Sequence, residues 1–245
     1  MERKKILRFK SKILNTINLT SSVKHLTLSI PENFSFYPGQ FISLILNKDD
    51  RQIKRPYSIS SKPGLNSVDL CIKIVKNGLL TPIIDNLKKW EEVDVLGPMG
   101  DFIIKDLSKD LVFISTGTGI GPFRSMIYEL LENNKNNFKN KVILLTGYRF
   151  KEDILYNNEF KELQNKYKNF SYYTVLSKTS SNEDAEKLKS LDNSYNGYVQ
   201  GLVKKNLFPN THYYICGLKE MVNSVIELLE QQGIPKENIF FERYD

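Results

Sequence analysis

Cysteine and histidine are nearly absent from this chain of 245 residues, which holds two of each. Cys71 and Cys216 stand far apart and make no disulfide framework, and no Cys-x-x-Cys pair is present to hold an iron–sulfur cluster or zinc. His25 and His212 are isolated, which argues against a histidine metal site or a Ser-His-Asp triad; both read as structural or solvated. Any redox chemistry therefore needs an organic cofactor. Long apolar runs are missing too. No early stretch pairs a charged region with an apolar one as a leader would, since residues 1–12 are basic without an apolar centre, and no run approaches bilayer-spanning length. A cytoplasmic protein without membrane insertion is expected. Arg/Lys clusters interleaved with aromatics are likewise lacking, so no nucleic-acid partner is expected.

What is present is ordinary for a soluble protein: 40% hydrophobic and 26% charged residues. The length fits one large domain or two modest ones. Thirty-five Lys and Arg against 28 Asp and Glu leave a net charge of +7. Such a surface can steer an acidic partner, or the lysines can be spread evenly; the sequence leaves both open.

Two rhythms divide the chain. Up to about Lys105 the pattern is short alternating segments cut by Gly and Pro. Leu26, Leu28 and Ile30 alternate before Pro31; Val68, Leu70, Ile72 and Ile74 alternate before Asn77-Gly78. Residues 41–46 and 57–60 lie between, flanked by Pro38-Gly39 and Pro63-Gly64. Closely spaced strands of this kind predict an antiparallel β-barrel. One helix interrupts it, with Thr81 as N-cap, Pro82 at the first helical position, and Ile83, Leu87 and Trp90 on one face.

From Leu107 apolar runs (111–115, 142–146, 172–176 and 213–216) alternate with helical stripes. One stripe is Phe123, Met126, Ile127, Leu130 and Leu131, another Tyr156, Phe160, Leu163 and Tyr167. The third is Met221, Val222, Val225, Leu228 and Leu229, stopped by Gly233 and Pro235. Strands alternating with helices predict a doubly wound parallel sheet, which binds ligands beyond the carboxyl ends of its strands. Residues 133–140 and 177–193 read as polar loops.

Three short motifs carry chemistry. Ser115-Thr116-Gly117-Thr118-Gly119-Ile120-Gly121-Pro122 follows a strand and opens a helix. Its glycines let main chain approach a pyrophosphate, and the helix start offers free amides and a positive dipole end. Arg55-Pro56-Tyr57-Ser58 offers a cation, an aromatic plane and a hydroxyl, which suit the phosphate, ring and ring nitrogen of a flavin nucleotide. Gly78-Leu79-Leu80-Thr81 would supply a second phosphate site at the next helix start.

The order of motifs resembles the ferredoxin–NADP+ reductase family over nearly the whole chain. Arg55-x-Tyr57-Ser58 is similar to its flavin signature. Cys71-Ile72-Lys73 with Gly78-x-x-Thr81 is similar to its next flavin segment in shortened form, and Gly97-Pro98-Met99-Gly100 to the turn that ends its barrel. Thr116 to Arg124 resembles its nicotinamide-nucleotide loop. Leu155-Tyr156-x-x-Glu159-Phe160, Cys216-Gly217-Leu218-Lys219-x-Met221 and the terminal Glu242-Arg243-Tyr244 resemble its later landmarks, although Asp245 extends beyond the plastid-type ending.

The resemblance implies an FAD-binding barrel over residues 1–106 and an NAD(P)-binding α/β domain over 107–245. It implies an oxidoreductase moving hydride between NADPH and FAD, and single electrons between FAD and an acidic carrier, ferredoxin or flavodoxin. Arg55 would hold the flavin phosphate, Tyr57 would lie on the isoalloxazine, and Ser58 would bond near its N5. Pro56, Cys71, Ile72, Lys73, Gly78, Leu79 and Leu80 would complete the flavin site, with Thr81 and nearby amides on the pyrophosphate. Gly117, Thr118, Gly119, Arg149 and Gly217 would bind the nucleotide, with Thr118 and Cys216 beside the nicotinamide. Glu242 would hold the ring or relay a proton, and Tyr244 would stack on the other flavin face. Ser177 and Lys178 would meet the 2′-phosphate, and Tyr198-x-Gln200 the adenine. Asn196 stands where plastid-type members carry a second lysine, so NADH remains the alternative, as in the reductase component of an oxygenase. A non-catalytic flavin- or nucleotide-binding protein is the alternative of another class.

Overall fold

The computed structural model describes residues 3–48, 51–133, 138–178 and 194–244. Its chain forms two compact units: residues 1–104 with 121–135, and residues 105–120 with 136–245.

The first unit is a curled six-stranded antiparallel sheet. Strands β1 (Leu7–Thr20), β2 (Val23–Ser29), β3 (Phe41–Lys48), β4 (Arg51–Ser58), β5 (Ser67–Lys73) and β6 (Glu92–Met99) lie in the order β4-β3-β6-β1-β2-β5. β1 makes the curl, because residues 7–12 pair with β6 while residues 13–20 pair with β2. Register shifts between Ile13 and Asn15 and between Asn18 and Thr20 bend it there, as bulges do. The two edge strands meet at one bridge, Ile59 to Leu70. Inside pack Ile13, Leu26, Leu28, Ile42, Leu44, Ile59, Val68, Leu70, Ile72 and Val95. Burying each aliphatic side chain contributes roughly 1.5–3 kcal/mol.

Three local expectations need correction here. Helix α1 covers only Thr81–Asn86; Leu87 is already extended, and Trp90 sits at φ 76° with 62% of its surface exposed. Thr81 is not the N-cap. That position is Leu80, while the Thr81 hydroxyl turns back to donate to the Val75 carbonyl and accept from the Val75 amide. Gly97-Pro98-Met99 is strand rather than turn, since β6 pairs through Met99 with Phe41 across a register shift, and Gly100 follows at φ 97°. Gly97 is needed inside the strand because a Cβ there would lie 2.7 Å from a methyl of Ile42.

Helix α2 (Ile120–Tyr128) and the π-turn after it (Glu129–Asn133) fall mostly within this unit. Phe123 meets Phe102 with ring centres 5.9 Å apart, and Lys62 pairs with Glu132 at 3.5 Å.

The second unit is a doubly wound sheet of six parallel strands: β7 (Asp110–Thr116), β8 (Val142–Tyr148), β9 (Phe170–Leu176), β10 (Ser194–Asn196), β11 (Thr211–Leu218) and β12 (Ile239–Tyr244), in the order β10-β9-β8-β7-β11-β12. Every residue of β8 is buried, as expected of a strand covered on both faces. On one face α4 (Val199–Lys205) and α5 (Lys219–Gln231) pack against Val112, Ile114, Ile143, Leu145 and Ile215. On the other, Phe160 of α3 (Asn157–Lys166) meets Tyr172 at 5.4 Å between ring centres. α5 ends at Gln231, and Gly233 follows at φ 77°. Chain order reverses direction at β7, placing the ends of β7 and β11 at a switch point. Residues 134–137 and 179–193, parts of the expected polar loops, lie outside the described residues.

Candidate functional site

In the barrel the residues of interest gather where the sheet edges close. The Ile59–Leu70 bridge is reinforced by the Ser60 amide donating to the Asp69 carbonyl at 2.8 Å. Tyr57 and Ser58 immediately precede this closure on β4, and Cys71, Ile72 and Lys73 immediately follow it on β5. Beyond the bridge β4 and β5 form no ladder among the described residues. Two strand edges that diverge offer main-chain donors and acceptors to a flat heterocycle.

Side chains dress those edges unevenly. Arg55 is exposed; its guanidinium donates to the Lys54 carbonyl at 2.9 Å. Pro56 is exposed and Tyr57 half-buried. Burial pushes the Tyr57 phenol up to about 12, against the pull of Arg55, so it stays protonated. Ser58 and Cys71 are buried. Ile72 and Leu80 point into the barrel core, leaving main chain as the part a ligand can reach. Lys73 donates to the Ser22 hydroxyl at 2.6 Å, and Leu79 is exposed. A Cβ on Gly78 would stand 2.7 Å from the Thr81 hydroxyl, so the tight turn there needs glycine.

A buried ionic cluster over this closure was not foreseen as a site. Asp69 accepts from Thr27 Oγ1 at 2.9 Å and lies 3.4 Å from His25 Nε2 and 3.2 Å from Arg124 Nη1. Burial pulls its pKa upward, but the hydrogen bond and charge of His25, then Arg124 and Thr27, outweigh it and hold the carboxyl below its usual range. His25 and His212 are both buried rather than solvated. The available sequence signal was faint: polar His25 and Thr27 alternate with the core residues of β2, and Asp69 sits between Val68 and Leu70.

In the second unit the glycine turn follows β7 as a 3-10 turn, Gly117–Gly119, running straight into α2. Its two glycines do different work. A Cβ on Gly119 would stand 2.2 Å from the Cys216 carbonyl oxygen, so this residue lets the turn press on the end of β11. A Cβ on Gly117 would meet nothing within 4 Å, and its φ of 53° is left-handed, so open space faces the turn. Half-buried Thr118 lies between them. Gly217, φ 149°, would clash with Thr116 Oγ1 at 2.5 Å if it carried a Cβ.

Register then places Cys216 beside Ser115 on one side and Glu242 on the other, with Tyr244 beside Leu218. Cys216 is fully buried. Burial raises its pKa well above the ordinary value and Glu242 adds to this, while a hydrogen bond to Tyr244 opposes both; the thiol is neutral. Glu242 and Tyr244 are half-buried.

The remaining predicted residues meet at the carboxyl ends of β8, β9 and β10. The Ser177 amide donates to the Tyr148 carbonyl at 2.9 Å and the Lys178 amide to the Arg149 carbonyl at 3.0 Å, which sets Arg149, Ser177 and Lys178 together. The Gly197 amide donates to the Leu176 carbonyl at 2.9 Å, bringing exposed Tyr198 to the same rim. Gln200 turns away, donating to Ser224 at 3.0 Å, and borders a hollow lined by Asn196, Gly197, Tyr198, Gly201 and Lys204. Among the described residues, no group of three or more His, Cys, Asp or Glu could hold a metal.

Comparison with known proteins agrees with this geometry. The family model of the oxidoreductase FAD-binding domain matches residues 10–104, and that of the oxidoreductase NAD-binding domain matches residues 113–227. The ferredoxin–NADP+ reductase of Plasmodium falciparum, solved with 2′P-AMP, superimposes with a TM-score of 0.80 at 28% identity, over 97% of this chain and 96% of that one. The chain belongs to the ferredoxin–NADP+ reductase-like family.

Within that family it is also 31% identical, over 93% of its length, to the phenol 2-monooxygenase reductase component DmpP of Pseudomonas sp. (strain CF600). It is 28% identical, over 91% of its length, to one component of the Na(+)-translocating NADH-quinone reductase of Actinobacillus succinogenes. This reductase-like chain spans 63% of the first relative and 56% of the second. The residues present fit both groups the family binds. An exposed arginine and a half-buried tyrosine border the β4–β5 opening for FAD, and the open cradle at Gly117 suits the nicotinamide dinucleotide.

Proposed function

We propose that this chain is an FAD-dependent reductase that takes hydride from NADPH and passes single electrons to a ferredoxin or flavodoxin. The observation that carries the reading is the pairing of an open glycine cradle at the end of β7 with Arg149, Ser177 and Lys178 at the ends of β8 and β9. A cradle of amides takes a pyrophosphate, and two cations with a hydroxyl take a ribose phosphate. Residues 1–106 would form the FAD-binding module and 107–245 the nucleotide-binding one.

Bound FAD supplies a centre that accepts two electrons at once and releases them singly. The chain's own residues would do the rest. Arg55 would neutralise the flavin phosphate, Tyr57 would cover one ring face, and Ser58 would fix the ring edge. Main chain at 71–73 would hold the pyrimidine side, with Gly78 to Thr81 toward the pyrophosphate. Gly117, Thr118, Gly119 and Gly217 would seat the nucleotide, with neutral Cys216 beside the nicotinamide. Glu242 would hold or relay a proton, and Tyr244 would occupy the nicotinamide's place until the substrate enters. Reactive atoms must approach to roughly 3–3.5 Å, so positioning is most of the protein's contribution. The net charge of +7 supports an acidic carrier as partner. No described helix is long and apolar enough to cross a membrane. The cytoplasm, where nicotinamide coenzymes are at hand, is the compartment this reading assigns.

A visible absorption spectrum of the purified, FAD-reconstituted protein tests the flavin, and anaerobic titration with each coenzyme tests the nucleotide. A flavin spectrum bleached more readily by NADPH than by NADH is expected. No flavin retained after reconstitution would overturn the reading. Equal or better reduction by NADH would instead favour a second reading, the NADH-using reductase of an oxygenase. That reading has its own support in exposed Asn196 at the β10 end and in the 31% identity to DmpP.

A further inference from the structure

We propose that Arg124 is a positioning residue that sets the grip of the barrel on the flavin and ties that grip to the helix continuing from the nucleotide turn. The inference rests on the flavin reading above and adds a residue to it.

Arg124 reaches across the barrel closure. Its Nη1 donates to the Ser60 carbonyl at 2.9 Å and to Asp69 Oδ2 at 3.2 Å, so one nitrogen joins the chain leaving β4 to β5. Both ionic partners are mostly buried, at 13% and 16% side-chain exposure. The anchor is itself fixed. Asp69 receives the Thr27 hydroxyl, its amide donates to Ser61 Oγ at 3.1 Å, and its carbonyl accepts the Ser60 amide. The guanidinium also lies over the Tyr128 ring, 5.2 Å from its centre, which holds its plane.

Burying such a pair is not an efficient way to hold a helix on a sheet. Desolvation offsets much of the attraction, and packed apolar side chains would do as well. α2 already has apolar contacts of this kind, as at Phe123 against Phe102. What the ionic cluster adds is a defined geometry, because a planar guanidinium accepts few arrangements of its partners.

The geometry lies where a flavin would feel it. Ser60 is two residues past Ser58 and three past Tyr57; Asp69 is two residues before Cys71. A Cβ on Gly121 would stand 3.9 Å from the Ser58 carbonyl oxygen and from Cys71 Cβ, so the first turn of α2 lies on these same strand ends. Gly121 follows the Gly117–Gly119 turn in the chain by two residues. Arg124 therefore fixes the helix that follows the turn on the strand ends of the β4–β5 opening.

The test compares Arg124→Gln, Arg124→Lys, Asp69→Asn and the double variant Arg124→Gln/Asp69→Asn with the parent protein. Three quantities are measured: apoprotein melting, the FAD dissociation constant from recovered flavin fluorescence, and the flavin difference spectrum on titration with NADP+ and NAD+. Arg124→Gln should weaken FAD binding about tenfold, as for one lost charge-assisted hydrogen bond, and flatten the difference spectrum. Arg124→Lys should restore apoprotein melting but not the difference spectrum, because an ammonium on a flexible stem does not reproduce the planar donor. If Arg124→Gln fails to fold, the lysine variant carries the test alone. Arg124→Lys matching the parent in FAD affinity and spectrum would overturn the proposal. So would a double variant that regains stability and the parental spectrum together, because Arg124 would then only hold the fold. A parent protein that binds no FAD would sink the function reading instead, a result distinct from either.

Discussion

The two candidate sites are built from different material. In the barrel, ligand-facing geometry comes from side chains and strand ends, stapled by a buried cluster of Asp69, Arg124, His25 and Thr27. In the α/β unit the turn after β7 is shaped by main chain, with glycines present because a methyl group has no room or the wrong φ, and side chains enter only at the rim of Arg149, Ser177 and Lys178. The first kind of site should fail by degrees as charges and packing are altered. The second should fail abruptly, at single atoms.

The largest effect expected on the barrel side is from Ile59→Ala. It empties the core position at the bridge joining the sheet edges, and should lower stability by about 2–5 kcal/mol by denaturant titration, with FAD retention falling in parallel. On the other side, Gly119→Ala places a methyl 2.2 Å from the Cys216 carbonyl and must displace backbone. A cost of about 1–3 kcal/mol is expected, with a steep rise in nucleotide KM and little change in FAD affinity. A change confined to FAD affinity would break the contrast between the sites. Lys178→Ala should raise the KM for NADPH roughly tenfold and that for NADH little, since only one ligand carries the extra phosphate. Gly117→Ala is the matched control for Gly119: its methyl enters open space, leaving the left-handed φ of 53° to cost about 1–2 kcal/mol.

The smallest effect is a pH dependence. The Asp69 carboxyl is held below its ordinary 3.8, so its ionised form contributes stability above that value, and the contribution is lost as pH falls through the lower folded pKa. Melting temperatures measured while acidifying from neutral should show this component in the parent and not in Asp69→Asn. The variant should be weaker at neutral pH, because Arg124 is left buried beside a neutral partner, and the gap should close as pH falls through the folded Asp69 pKa.

Local patterns carried much of the fold. Alternation in β2 and β5 and the apolar runs of β7, β8, β9 and β11 were readable because each strand's burial repeats within a few residues. β1 was not: its apolar period is broken by two register shifts, and polar residues occupy much of its length. At α1 the sequence signal outran the helix, since Leu87 and Trp90 keep helical spacing although the chain turns extended at Leu87. The same divide holds for the sites. Arg55 to Ser58 and Gly117 to Gly119 are contiguous and so legible. Arg124 and Asp69 are 55 residues apart, and Asp69 and Thr27 are 42 apart; only the strand register of β2 on β5 and the docking of α2 join them.

The single tryptophan has a practical consequence at the bench. Trp90 lies on a left-handed turn, held through its amide to the Ile13 carbonyl at 2.8 Å, with most of its indole in water and the Lys89 ammonium 4.9 Å from its ring centre. An indole that is already hydrated changes its emission little on denaturation, so intrinsic fluorescence would show a shallow transition while both cores melt. Amide circular dichroism is the signal that would follow them, and an indole moved into the barrel, for instance Phe36→Trp, would give the flavin half its own optical probe.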